Sequence, residues 1–174
     1  TMAHALLDPK SVVLDAGCRD GEVTYAMAAL YPHLFFVGMD VNAAAIERAN
    51  AAHTLPNLRF EVGNIYTDLP ENSYDLIVNS FFLHEVYSAS FYNDKLIQLA
   101  LERQYKALKP NGIFLVRDYI NPAPGEYVLM EFTDKTPSGD TFETLSEAEL
   151  LVWFSEHARA KSLADDQSFA SGFF

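Results

Sequence analysis

Five short runs rich in β-branched and aromatic residues alternate with helical patterns over roughly the first 120 residues, and this alternation limits the fold more than any other feature. Val12–Ala16, Leu34–Met39, Leu58–Val62, Tyr74–Ser80 and Gly112–Asp118 read as strands, while Glu22–Leu30, Ala43–Ala52 and Asp94–Leu108 read as helices. Strands joined through helices run parallel, because the helical crossover carries the chain back to the end where the first strand began. The expected fold class is α/β: a single Rossmann-like, doubly wound, mainly parallel sheet with flanking helices.

Local signals set the element ends. Asn42 is placed to cap the second helix, and Pro110-Asn111-Gly112 to stop the third and turn into the fifth strand. Leu96, Leu99, Ala100, Arg103 and Ala107 give that third helix an apolar stripe interrupted by one charge. Asn121-Pro122-Ala123-Pro124-Gly125 then breaks the pattern, and Tyr127–Phe132 and Thr141–Leu145 flank Thr136-Pro137-Ser138-Gly139 as a candidate hairpin. Ser146 and Glu149 make a capping box for a helix over 146–161. All 174 residues thus read as one domain: a core over 10–120, an inserted or substrate-facing element over 121–145, and a C-terminal helix.

The 24 acidic residues against 12 basic give a net charge of −12, which disfavours nucleic acid as a partner. Arg103, Lys106 and Lys109 form a local basic cluster, at a spacing typical of a solvated helix face. The apolar runs are too short to cross a bilayer and the first ten residues lack a signal-peptide pattern, so a soluble, cytoplasmic protein away from membranes is expected. Cys18 is the only cysteine and His84-Glu85 has no second histidine one turn on; no metal site is expected.

Chemistry concentrates where the first strand ends. Val12-Val13-Leu14-Asp15-Ala16-Gly17-Cys18-Arg19-Asp20-Gly21 breaks from a buried strand into a Gly-containing loop that opens a helix. Asp40 follows at the tip of the next strand, about 20 residues on, the offset of a ribose-binding carboxylate. An acid just before Gly-x-x-x-Gly differs from the dinucleotide pattern Gly-x-Gly-x-x-Gly and favours a positively charged ligand over a pyrophosphate. Each residue also has a plainer reading: Gly17 and Gly21 as turn glycines, and Asp15 and Asp40 as helix caps.

These residues resemble the class I S-adenosylmethionine-dependent methyltransferases, whose first motif is an acid, any residue, then Gly-x-Gly-x-Gly. Asp15, Gly17 and Gly21 match it, with Arg19 at the middle glycine. Gly38-Met39-Asp40-Val41, Gly63-Asn64-Ile65, Tyr74-Asp75-Leu76-Ile77-Val78-Asn79-Ser80 and Leu108-Lys109-Pro110-Asn111-Gly112 follow in the family's order. The resemblance implies that Asp15 helps hold the methionyl amino group and that Gly17 and Gly21 let the backbone approach S-adenosylmethionine. It also implies that Asp40, with Val41, takes the ribose hydroxyls, and that Asn64, with Ile65, meets the adenine. Asn79 and Ser80 are expected as further cofactor contacts at the strand end, and S-adenosylhomocysteine as the product. The family's domain usually ends in an antiparallel edge hairpin; if this chain stops short of it, the exposed edge favours a homo-oligomer.

Methyl transfer needs a nucleophile held behind the sulfonium methyl with water excluded, and a base where the nucleophile carries a proton. His84 in Phe81-Phe82-Leu83-His84-Glu85-Val86 is the candidate base, with Glu85 available to orient it; the plainer reading is a packed or surface histidine opening a loop. Phe81, Phe82, Tyr87, Phe91 and Tyr92 read as a lid, a wall near the sulfonium, or core. The expected acceptor is a small molecule, ahead of a protein side chain. A non-catalytic cofactor-binding or scaffolding domain is the alternative, and a nicotinamide-dependent oxidoreductase is disfavoured by the glycine spacing.

Overall fold

A computed structural model describes residues 7–119, within one compact unit, and 144–153, within another. In the first unit the elements run β1 (Val12–Ala16), α1 (Glu22–Leu30), β2 (Phe35–Asp40), α2 (Ala43–Ala52), β3 (Leu58–Val62), β4 (Tyr74–Ser80), α3 (Leu83–Ala89), α4 (Asp94–Ala107) and β5 (Leu108–Arg117). The sheet is ordered β3-β2-β1-β4-β5 and every pairing is parallel, as the alternation requires. Chain direction across the sheet reverses between β1 and β4, which opens a crevice beyond their C-terminal ends.

Because strand side chains alternate, each strand feeds two cores. Leu14, Val37, Met39 and Ile77 pack with Val86 of α3 and with Ala100 and Ala107 of α4. Val13, Phe36, Leu76 and Val78 pack with Ala28 of α1, while Ile46 and Ala49 of α2 meet Phe60 of β3. Phe36, Leu14, Leu76 and Ile77 are fully buried, each contributing about 1.5–3 kcal/mol of apolar transfer energy.

Three expectations are corrected. The chain after β4 is helical rather than a loop, so His84 lies in the first turn of α3. Phe82 at the N-cap makes no side-chain cap bond; instead Asp118, 34 residues away, accepts the His84 N–H. A cap supplied from another strand leaves no local signature. Arg103 is exposed and lies off the α4 stripe, which runs through Ala100, Gln104 and Ala107. Gln104 is tolerated there because its Oε1 accepts from Asn79 Nδ2 at 2.7 Å and its Nε2 donates to the Ala100 carbonyl. Finally, Pro110-Asn111-Gly112 turns within β5 rather than before it: the helix ends at Ala107, and the register with β4 shifts between Leu108 and Ile113.

Two of the family-like motifs prove to be one structural joint. Asp75 Oδ2 accepts both the Val12 N–H and Lys109 Nζ, each at 2.7 Å, tying together the starts of β1, β4 and β5. Lys109 is therefore engaged by a carboxylate rather than free in a basic cluster. In the second unit, residues 147–153 are helical behind the expected box: Ser146 N–H donates to Glu149 Oε2 and Glu149 N–H to Ser146 Oγ. The candidate hairpin strand Tyr127–Phe132, its turn, residues 141–143 of the second flank Thr141–Leu145, and the helix beyond 153 fall outside the described residues, while Thr144 and Leu145 form a turn rather than strand. Among the described residues no helix is long and apolar enough to cross a membrane, and no cluster of histidine, cysteine and acidic residues suits a metal.

Candidate active site

The ends of β1 to β4 lie on one rim of the sheet, because parallel strands share a direction, and the expected residues gather there. Asp15 and Ala16 pair with Gly38 and Met39 of β2 and with Val78 and Asn79 of β4. The loop after β1 is fastened to β2 through the N–H groups of Gly17 and Cys18, both donating to the Met39 carbonyl. Gly63 N–H likewise donates to the Asp40 carbonyl, bringing Asn64 beside Asp40.

Asp40 is half-buried and aligned from both sides. Its Oδ2 accepts the Arg19 N–H and its Oδ1 accepts the Asn42 N–H, both at 2.9 Å. Each oxygen keeps lone-pair capacity beyond those bonds. Arg19 reaches this geometry at φ 51°, a left-handed conformation that a glycine adopts freely and an arginine at some cost. Asn42 in turn caps α2 through Ala45 N–H, as its position predicts. Val41 is half-buried between the two.

Asp15 is 3% exposed, and Thr24 Oγ1 donates to its Oδ2 at 2.6 Å. Burial pushes its pKa up to about 6, the Thr24 bond works the other way, and the Asp40 charge adds to the rise. Cys18 is buried nearby, and its thiol is pushed well above the ordinary range by burial and then by Asp15 and Asp40. Glu85 is also raised, chiefly by burial, with Arg19 and His84 lowering it and Asp40 and Asp118 raising it. The rim is an acidic environment that a cation would relieve and a phosphate would aggravate.

Gly17, at φ 76°, supports a close approach: a Cβ there would overlap the ring of Phe82. Gly21, at φ 81°, caps α1, and a Cβ there would meet Phe60 at 2.5 Å. Ile65 lies in the core with Met39 and Ile77, so its side chain is not on the rim. Asn64 Oδ1 accepts the Tyr66 N–H, and its own N–H donates to Asp68. Asn79 is fully buried and its Oδ1 has no hydrogen-bond partner among the described residues, while Ser80 is half-buried one residue on.

The aromatic cluster divides. Phe82 is core, Phe91 and Tyr92 are exposed, and Tyr87 packs edge-on to Tyr92. Phe81, at φ 53°, turns the chain from β4 into α3, with the Arg117 guanidinium 4.5 Å from its ring centre and Tyr119 against it. His84 Nδ1 is 2.7 Å from Asp118 Oδ1, so its side-chain partner is Asp118 at the end of β5 rather than Glu85. Burial tends to raise the Asp118 pKa, but the bonds from Tyr119 N–H and His84 outweigh it and hold this carboxyl below its usual range. Asp118 was legible only as the last residue of an expected strand.

A family model described as a methyltransferase domain matches residues 7–164. The chain is 31% identical over 136 residues to a trans-aconitate 2-methyltransferase of Deinococcus radiodurans, covering 78% of this chain and 46% of that protein. It is 28% identical over 163 residues to a tRNA N(3)-methylcytidine methyltransferase of Drosophila melanogaster, covering 87% of this chain and 46% of that one. The chain thus spans under half the length of these two relatives. A TehB-like SAM-dependent methyltransferase from Corynebacterium glutamicum superposes at a TM-score of 0.52 and 23% identity, over 66% of this chain and 58% of that one, which concerns the fold alone. By its matching family model, its sheet order and the motifs on its C-terminal rim, the chain belongs to the methyltransferase-domain family, with the fold of the S-adenosylmethionine-dependent class I enzymes.

Proposed function

We propose that the protein transfers a methyl group from S-adenosylmethionine to a small-molecule acceptor by in-line displacement, with His84 taking the acceptor's proton. The observation that carries this reading is the Asp40 carboxylate, presented at the tip of β2 with both oxygens aligned by backbone N–H groups. An acid so held can accept two vicinal hydroxyls of a ribose. The rest of the rim fits a cationic nucleoside. Asp15, on the α1 face of the sheet, offers a carboxylate to an ammonium group, while Asn79 Oδ1, on the α4 face, is an unpartnered buried acceptor that a ligand donor would satisfy, recovering part of the roughly 1–3 kcal/mol such an atom costs.

When bound, S-adenosylmethionine supplies a sulfonium methyl group open to attack from behind and leaves as S-adenosylhomocysteine. Gly17 lets the loop after β1 pack on the Phe82 ring and Gly21 lets the start of α1 pack on Phe60, so both shape the loop that would face the ligand. Val41 and Asn64 flank the nucleoside side, Ile65 through its backbone, and Ser80 lines the crevice beyond Asn79. His84 holds its proton-accepting ring at the start of α3, just past the end of β4.

The acidic surface supports a small acceptor over a polyanion, since Lys109 is neutralised by Asp75 and the chain carries 24 acids against 12 bases. Titration calorimetry with S-adenosylmethionine, S-adenosylhomocysteine and NAD tests the cofactor; binding of the first two is expected. No heat with either would overturn the reading, and NAD binding alone would favour an oxidoreductase. A screen of acceptors with radiolabelled methyl donor then identifies the substrate.

A further inference from the structure

We propose that Asp118 is the positioning residue for His84, holding its imidazole as the Nδ1–H tautomer so that Nε2 takes the proton of a hydroxyl or amine acceptor. The tautomer follows from geometry, while the acceptor class rests on the methyl-transfer reading above.

Asp118 grips His84 twice. Its Oδ1 lies 2.7 Å from Nδ1, and its Oδ2 accepts the backbone N–H of the same residue at 3.2 Å. Tyr119 N–H also donates to Oδ1 at 2.8 Å, so three bonds converge on a carboxylate whose side chain is 9% exposed. An ionised carboxylate can only accept, so the hydrogen in the short contact belongs to Nδ1. In neutral imidazole the lone pair then lies on Nε2. That nitrogen has no partner among the described residues, and the side chain is 37% exposed. The Tyr119 ring, edge-on to His84 at 5.1 Å, fixes the imidazole plane. Phe81, in its left-handed turn and braced by Arg117, sets where α3 begins and hence where the histidine stands.

A base at Nε2 matters only for an acceptor that carries a proton on the attacking atom. The acceptor's electron pair forms the new bond to the methyl carbon, the carbon–sulfur pair stays on sulfur, and the proton passes to Nε2 and then to water. A carboxylate acceptor is already deprotonated and has no use for the dyad.

The test is the nitrogen spectrum of His84 in the full chain, labelled with ¹⁵N-histidine and assigned among the five histidines by the His84→Gln variant. The expected wild-type pattern at pH 7.5 is a protonated Nδ1 and a pyridine-type Nε2. Asp118→Ala removes the acceptor that holds the proton on Nδ1, and the ring should shift toward the Nε2–H tautomer that a free imidazole favours. Turnover on hydroxyl or amine acceptors should fall about 10²-fold or more, with cofactor affinity within threefold. A wild-type Nε2–H tautomer overturns the proposal without any variant having to fold. So does an Asp118→Ala spectrum unchanged from wild type, or turnover confined to carboxylate acceptors. Failure of cofactor binding in calorimetry would instead remove the methyl-transfer reading and leave the tautomer standing.

Discussion

Arg19 and Asp40 are joined through the backbone: it is the Arg19 N–H, not the guanidinium, that donates to Asp40 Oδ2 at 2.9 Å. The loop after β1 therefore orients the β2 acid without using the Arg19 side chain. Asp40→Ala should weaken S-adenosylmethionine binding by about tenfold or more, since charged hydrogen bonds are lost. Arg19→Gly should keep affinity within about threefold, because glycine adopts the same φ. Calorimetry on folded variants checks both, and an Asp40→Ala protein with wild-type affinity refutes the ribose assignment.

Asp15 gives the unliganded protein a specific pH response. Its folded pKa of about 6 lies above the unfolded value near 4, so the folded state holds the proton more tightly. Its contribution to stability is full below about pH 4 and is lost as pH rises through about 6. Asp15→Asn, which can still accept from Thr24, should flatten this slope and stabilise the free protein at pH 7.5 by on the order of 1–3 kcal/mol. Urea unfolding from pH 4 to 8 reads it. If Asp15 holds the ammonium group, the same variant should bind S-adenosylmethionine more weakly.

His84→Gln should reduce turnover by roughly 10²–10⁴-fold while leaving cofactor affinity within about threefold. Single-turnover kinetics beside calorimetry separates the two effects. Equal turnover in the variant would make this histidine a structural residue of α3.

Gly17→Ala forces a Cβ into the Phe82 ring and places a side chain at φ 76°. Stability should fall by about 2 kcal/mol or more. The double variant with Phe82→Ala should show positive coupling, because removing the ring removes the overlap. Additive losses would mean that the two residues do not meet.

Asp75→Ala should cost about 1–2 kcal/mol of stability by leaving the Val12 N–H and Lys109 without their shared acceptor, yet leave cofactor affinity unchanged. Its joint lies at the strand starts, away from the ligand rim. A large affinity change in a folded protein would argue against that separation.

Most of the fold could be read from residue pattern alone because its signals are local. Asn42 caps the helix it precedes, Ser146 and Glu149 close their own box, and three of the five strands and two of the helices begin and end where the patterns do, with β2 shifted by one residue. The departures have non-local causes. Helix α3 is started by a carboxylate just past β5, Gln104 is made acceptable by Asn79, and the β5 turn is absorbed as a register shift. The acids of the candidate site were legible because strand ends project them, whereas Asp118 was not, since its partner lies 34 residues away in sequence.

The lone thiol of Cys18 lies buried under the loop that carries Asp15 and Arg19, next to Gly38 and Phe60. One cysteine in 174 residues means that a thiol-selective reagent reports on that loop. The chain has a built-in chemical clock: the rate at which Cys18 is modified measures how often the loop lifts away from β2, and a ligand that closes the crevice should slow it.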